Sequence, residues 1–183
     1  MKFDWKSSKT KKVALLAVLT AIPTATGYIL GPLSSFINLS FKLIGIPFGI
    51  RLGFASLVLV TILARSYLGR GAATIEGLLL GITAIFFHVS EPPTIRIPKD
   101  LLLGIGVDLA LFKSDEIDIK SSIFASIIGG ALSYIPYLLI LPAESYTTML
   151  LLSIVLIAIS GYLISCAMGG FVAGLVLKNL PDI

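Results

Sequence analysis

Charge is scarce in this chain. Asp, Glu, Lys and Arg make up only 13% of its 183 residues, about half the share a soluble domain carries. A water-soluble globule of this size needs polar surface to cover its core, and the sequence does not supply it. Cysteine is scarcer still. Cys166 stands alone, which excludes an internal disulfide and a Cys-based zinc site. No loop of the form G-x-x-x-x-G-K-[ST] occurs, so the chain does not hydrolyse nucleotide itself. No basic stripe of the nucleic-acid type is present, and neither a metal nor a cofactor is expected.

What is there is apolar. Hydrophobic residues make up 56% of the chain, and the mean hydropathy is +1.01. A membrane helix needs about 20 mostly apolar residues. Six runs approach that length, at about 13–30, 43–64, 72–89, 97–112, 121–141 and 147–177. The fourth is short, and a tilted or partly re-entrant course suits it. The expected fold is therefore an all-α, polytopic membrane bundle of about six transmembrane helices in a single domain. The first run follows a basic stretch, but further apolar runs come after it, so it does not read as a cleavable signal.

Orientation follows from Lys and Arg. With the N-terminus inside, Lys2, Lys6, Lys9, Lys11, Lys12, Arg65, Arg70, Lys113, Lys120 and Lys178 fall on the cytoplasmic side. Lys42, Arg96 and Lys99 fall outside. Ten against three predicts a multi-pass protein of the cell membrane with both termini in the cytoplasm.

Ionisable groups inside a membrane are costly and mark functional positions by default. Arg51 lies about seven residues into the second run, roughly 10 Å deep at 1.5 Å per residue. Asp100 is expected near the outer end of the fourth helix, with Asp108 roughly 12 Å deeper. Glu76 is about one turn from the cytoplasmic end of the third. Asp100, Gly104 and Asp108 share one helix face by their spacing, and Arg51 falls between the two aspartates in depth, a natural partner for either. Each group is read either as a substrate contact or as half of a structural ion pair. Glu76 is also near enough to the surface to snorkel.

The stretch from His88 to Asp100 is the most polar outer segment. His88, Glu91, Arg96 and Lys99 are read as a cap over an outward-opening pocket, with a plain solvated loop as the alternative, the favoured one for Arg96, and with an interfacial role favoured for His88 at its helix end. Tyr134 and Tyr137 flank Pro136 on the fifth run. They suit stacking on a planar ligand and suit the membrane interface equally.

Small residues recur at four-residue spacing: Ala17, Ala21 and Ala25 on the first run, Ser122, Ser126 and Gly130 on the fifth, Gly170 and Gly174 on the sixth. Such stripes permit close helix approach. Pro23 among Thr20, Thr24 and Thr26 predicts a kink whose freed backbone is met by hydroxyls.

About six helices in a short chain, a lysine-rich cytoplasmic start and Ala17-Val-Leu-Thr-Ala21 together resemble the substrate-binding S component of energy-coupling-factor (ECF) vitamin transporters. Arg65-Ser-Tyr-Leu-Gly-Arg-Gly-Ala-Ala-Thr-Ile-Glu76 and the glycine-bearing acidic fourth run are similar to the thiamine or hydroxymethylpyrimidine subgroup. The resemblance implies a vitamin-like small-molecule substrate held near the outer face. It also implies docking through the first helix, at Ala17, Ala21 and Ala25, on a membrane T component driven by two ATPase subunits. Other classes stand beside it. An aspartyl intramembrane protease uses G-x-G-D, whereas this chain reads Gly104-Ile-Gly106-Val-Asp108. A serine type needs a histidine in the membrane core, and only His88 exists. A lipid head-group transferase needs clustered acidic ligands, thinly matched by Glu76 and Asp108. A channel or scaffold subunit is also open.

Overall fold

The computed structural model describes residues 9–43, 51–86, 92–114, 117–140 and 149–180. In chain order the helices are α1 (Lys9–Leu43), α2 (Leu52–Leu68), α3 (Ala72–Phe86), α4 (Pro93–Ala110), α5 (Ile119–Ser133), α6 (Ile135–Ile140) and α7 (Met149–Asn179). No strand occurs among the described residues. Among the described residues, three stretches are long and apolar enough to cross a membrane: Lys9–Ser40, Ile119–Leu139 and Ile159–Asn179. The second joins α5 to α6 across the single turn residue Tyr134. Leu52–Leu68 and Ala72–Phe86 are shorter apolar helices. The protein is an all-helical, membrane-embedded bundle.

Helix boundaries depart from the hydropathy reading at two places that matter for the site. The first is α1, which does not stop near residue 30 but runs through Pro23 and Pro32 to Leu43. In hydrocarbon a broken helix exposes unpaired backbone groups, so a proline inside a helix is tolerated better than an end there. The hydroxyls of Thr20, Thr24 and Thr26 donate to the carbonyls of Leu16, Thr20 and Ile22, each one turn back. These are neighbours of the Leu19 carbonyl that Pro23 leaves without its usual donor. Because α1 takes up residues to 43, α2 begins only at Leu52. Arg51 is its N-cap, with an exposed side chain, and not a residue two turns inside a helix.

The second departure is α4, which starts at Pro93 and not near 97. Proline suits a first helical position, since its ring presets φ and no N–H is needed there. The earlier start carries Lys99 and Asp100 about 10 Å into the helix at 1.5 Å per residue, and it leaves Asp108 close to the other end. At the start of α5 the Asp118 side chain accepts from the Ser121 N–H at 2.8 Å, and Ser121 Oγ accepts from the Asp118 N–H at 2.9 Å. This capping box fixes where α5 begins. The bonds from Ser121 hold the exposed Asp118 carboxyl below its ordinary value.

Small residues set the helix spacing. A side chain on Gly77 would run into the Asp100 carbonyl, and one on Gly104 would run into the Ala73 carbonyl. The two helices α3 and α4 therefore touch backbone to backbone in antiparallel register. Gly106 meets Gly129 across α4 and α5. The two remaining small-residue stripes face each other: Gly170 packs on Ser122 and Ser126, and Gly130 packs on Cys166. The apolar interior is filled by Leu19, Val58, Ile62, Leu80, Leu103 and Val107, while Val18, Ile29, Phe86, Leu109 and Phe124 point outward, as lipid contact requires.

A direct test follows from this packing. Gly104→Ala puts a methyl against backbone, which cannot rotate away. Such overpacking costs about 1–3 kcal/mol. Gly27→Ala in α1 meets open space. Thermal unfolding in detergent is expected to show a lowered midpoint for Gly104→Ala and none of that loss for Gly27→Ala.

Candidate functional site

Ionisable side chains gather at two levels of the bundle. In its interior, Asp100 is fully buried and Lys99 is 1% exposed. Arg96, one turn before Asp100, places Nε 2.7 Å from Asp100 Oδ2. The Lys99 ammonium lies 5.8 Å from the centre of the Phe54 ring on α2 and 5.8 Å from that of Tyr137 on α6. Tyr137 neighbours Tyr134 at 5.4 Å, Tyr134 neighbours Tyr162 of α7 at 5.6 Å, and Tyr162 lies against Phe54 at 4.1 Å. The Tyr162 hydroxyl shares a 2.6 Å hydrogen bond with Ser133. Four linked aromatic rings, from α2, the α5–α6 stretch and α7, thus meet α4 through Phe54 and Tyr137, where a cation and an ion pair sit side by side. An ammonium over ring faces is attracted by their quadrupoles, and more so where water is excluded.

Of the expected site residues, Lys99, Asp100, Tyr134 and Tyr137 come together here. Arg51 does not lie between the aspartates. Its backbone N–H donates to Ser165 Oγ of α7 at 2.8 Å, and its carbonyl accepts from the Phe54 N–H at 2.9 Å. That places it at the rim, one turn from the aromatic group. His88 and Glu91 lie outside the described residues. Arg96 is no solvated loop residue, since its side chain is 15% exposed and pairs with Asp100.

Asp108 belongs to a different group, where α2 passes into α3. Its carboxylate accepts from the Gly71 N–H (3.1 Å), the Thr74 N–H (2.9 Å) and the Thr74 hydroxyl (2.7 Å). Arg65 Nε lies 3.4 Å from Asp108 Oδ1, and the other arm of Arg65 donates to the Leu111 carbonyl at 2.8 Å. Asp108 thus caps the N-terminus of α3 from the neighbouring helix, where backbone donors lack partners and the helix dipole favours a negative charge. Arg65 ties that cap to the end of α4. This is a joint between three helices. A hollow of about 230 Å³ beside it is lined by Arg70, Gly71, Thr74, Ile105, Asp108, Leu109 and Phe112.

Glu76 joins neither group. It is fully buried in α3 and does not reach the surface as a snorkelling residue would. Its bonded neighbour is Thr20 of α1.

Phe54, Tyr162 and Ser133 were not singled out by the sequence, and Arg65, Thr74 and Thr20 were noted only for topology, the family resemblance and the kink in α1. Tyr162 and Phe54 sit in uninterrupted apolar runs, where an aromatic gives no local sign of its neighbours. Arg65 ends an apolar run and reads as an ordinary topology charge. In the interior group the sequence had marked Lys99, Asp100, Tyr134 and Tyr137, each by its own polar character and not by its neighbours.

The interior group brings together a cation, an ion pair and ring faces, the chemistry of charge-assisted hydrogen bonds and ring contact. No cluster of three or more His, Cys, Asp or Glu side chains able to hold a metal occurs among the described residues. No family model, no curated protein and no solved structure matches the chain.

Proposed function

We propose that this protein is the substrate-capture subunit of an ECF-type importer, taking a small water-soluble vitamin-like compound from outside the cell. In this reading all six apolar segments cross the cell membrane, both termini are cytoplasmic, and a T component with two ATPases supplies the drive. The observation that carries it is the interior group around Lys99 and Asp100. A lysine and an aspartate buried in a membrane bundle are expensive to keep. Binding a polar solute is a function that justifies them, and the rings of Phe54, Tyr134, Tyr137 and Tyr162 provide the flat apolar walls a heterocycle needs. A second support is the alanine stripe of α1. Ala17, Ala21 and Ala25 are exposed on the outside of the bundle, so they do not serve its internal packing.

Native mass spectrometry of the protein purified from cells is expected to reveal a bound small molecule. Lys99→Gln keeps a polar side chain but removes the charge. It is expected to weaken binding of that molecule by roughly tenfold or more, since a charge-assisted contact is worth about 1.5–3 kcal/mol. A protein that carries no small molecule, or whose affinity survives Lys99→Gln, would argue against capture at this site.

A further inference from the structure

Glu76 has no exposed surface. Its Oε1 lies 3.0 Å from Thr20 Oγ1 of α1, while its buried Oε2 has no hydrogen-bond partner. The same Thr20 hydroxyl lies 2.8 Å from the Leu16 carbonyl. A hydroxyl carries one proton. A carbonyl only accepts, and an ionised carboxylate only accepts. If Glu76 were ionised, Thr20 would have to serve both with one proton, and one contact would set two oxygens together with none between them. If Oε1 carries a proton, the chain closes. Glu76 donates to Thr20 Oγ1, and Thr20 donates to the Leu16 carbonyl. The bare Oε2 is then half of a neutral acid, far cheaper to bury than half of an anion.

The charges on neighbouring helices are placed elsewhere. On α2, Arg65 is engaged with Asp108 and the Leu111 carbonyl, and Arg51 is at the far end of the helix. On α4, Asp100 pairs with Arg96, Lys99 faces Phe54 and Tyr137, and Asp108 caps α3. On α1 the nearest lysine toward the helix start is Lys12, about 12 Å from Thr20 along the axis at 1.5 Å per residue. No ion pair reaches Glu76 among the described residues.

We propose that Glu76 is a proton-binding site inside the bundle, and that the bound proton clasps α1 to α3 through the Glu76–Thr20–Leu16 chain. Proton and α1 then bind together. Freeing α1 from α3 removes the acceptor for the proton, and ionising Glu76 removes the donor for the clasp. The attachment of α1 weakens as pH rises past the point at which Glu76 ionises, because the clasped state holds more protons than the open one.

Infrared spectroscopy of the whole protein in an ester-free detergent at neutral pH tests this. The spectrum is expected to contain the carbonyl band of a protonated carboxylic acid that is lost in Glu76→Gln. Thr20→Val, which removes the acceptor without touching Glu76, is expected to shift that same band to higher frequency. Glu76→Gln is expected to keep the wild-type thermal midpoint, since its amide still donates to Thr20, whereas Glu76→Ala lowers it. If Glu76→Gln instead removes a carboxylate band and leaves the protonated-acid region unaltered, the proposal is overturned. If Glu76→Gln does not fold, Thr20→Val decides alone: a shifted acid band supports the clasp, and an unmoved spectrum in that region refutes it. None of these outcomes depends on what the interior group binds.

Discussion

Asp108→Ala is expected to lower the stability of the bundle by about 3 kcal/mol or more, the usual result of removing one partner from a buried ion pair. The Asp108 and Arg65 side chains are 14% and 7% exposed, so water offers little relief. Loss of the carboxylate strands the Gly71 and Thr74 N–H groups and the Thr74 hydroxyl. It also leaves Arg65 with only the Leu111 carbonyl. Asp108→Asn should cost less, because its amide oxygen still accepts from one backbone donor. Arg65→Met combined with Asp108→Ala should cost less than the two single changes added together, because no lone charge is left behind. Thermal unfolding in detergent measures all four variants. Small-molecule binding, scaled to the folded fraction, is expected to be unchanged throughout. A stable Asp108→Ala protein that no longer binds its ligand would instead move Asp108 into the capture site.

Hydropathy and composition were enough for the all-helical membrane bundle, because burial in lipid leaves few alternatives for the backbone. The acidic residues were legible as costly interior groups, but their partners were not. Asp100 and Asp108 share a helix face, which suggested one site served by Arg51. The two aspartates lie about two turns apart on α4 and meet different neighbours at each level. Arg51 falls away from both because α1 continues past Pro32 to Leu43 and α2 begins only at Leu52. Each aspartate then meets a different arginine, Arg96 or Arg65, and only Asp100 stays with the aromatic group. Lys99 was legible as a polar residue of a loop and proved to be among the most buried side chains. A one-dimensional pattern reports which groups are out of place in lipid. It does not report which of four or five neighbouring helices answers each of them, since that depends on helix register and on glycine contacts such as Gly77 with Asp100 and Gly104 with Ala73.

Ala17→Trp and Ala21→Trp are expected to abolish transport while leaving ligand binding by the isolated protein intact. Leu19, Thr20 and Pro23 turn the inner face of α1 toward the bundle, and Ala17, Ala21 and Ala25 lie exposed on the other side. A tryptophan there therefore has room in the isolated protein and disturbs none of its core. Lipid accepts it as well. A partner helix that needs close approach across the alanine stripe does not, because an indole holds the two backbones apart. The described interior group is built from α2, α4, α7 and the α5–α6 stretch, and takes nothing from α1. Uptake by cells and ligand binding in detergent are to be measured on the same variants. Loss of both together would mean that the tryptophans distort the bundle. Retention of both would leave the stripe as plain lipid contact and remove the main support for a separate motor. The expected split, uptake lost and binding kept, separates a capture subunit that must dock from an enzyme or channel that works alone, for neither of those gives the outer face of α1 any task that an indole would block.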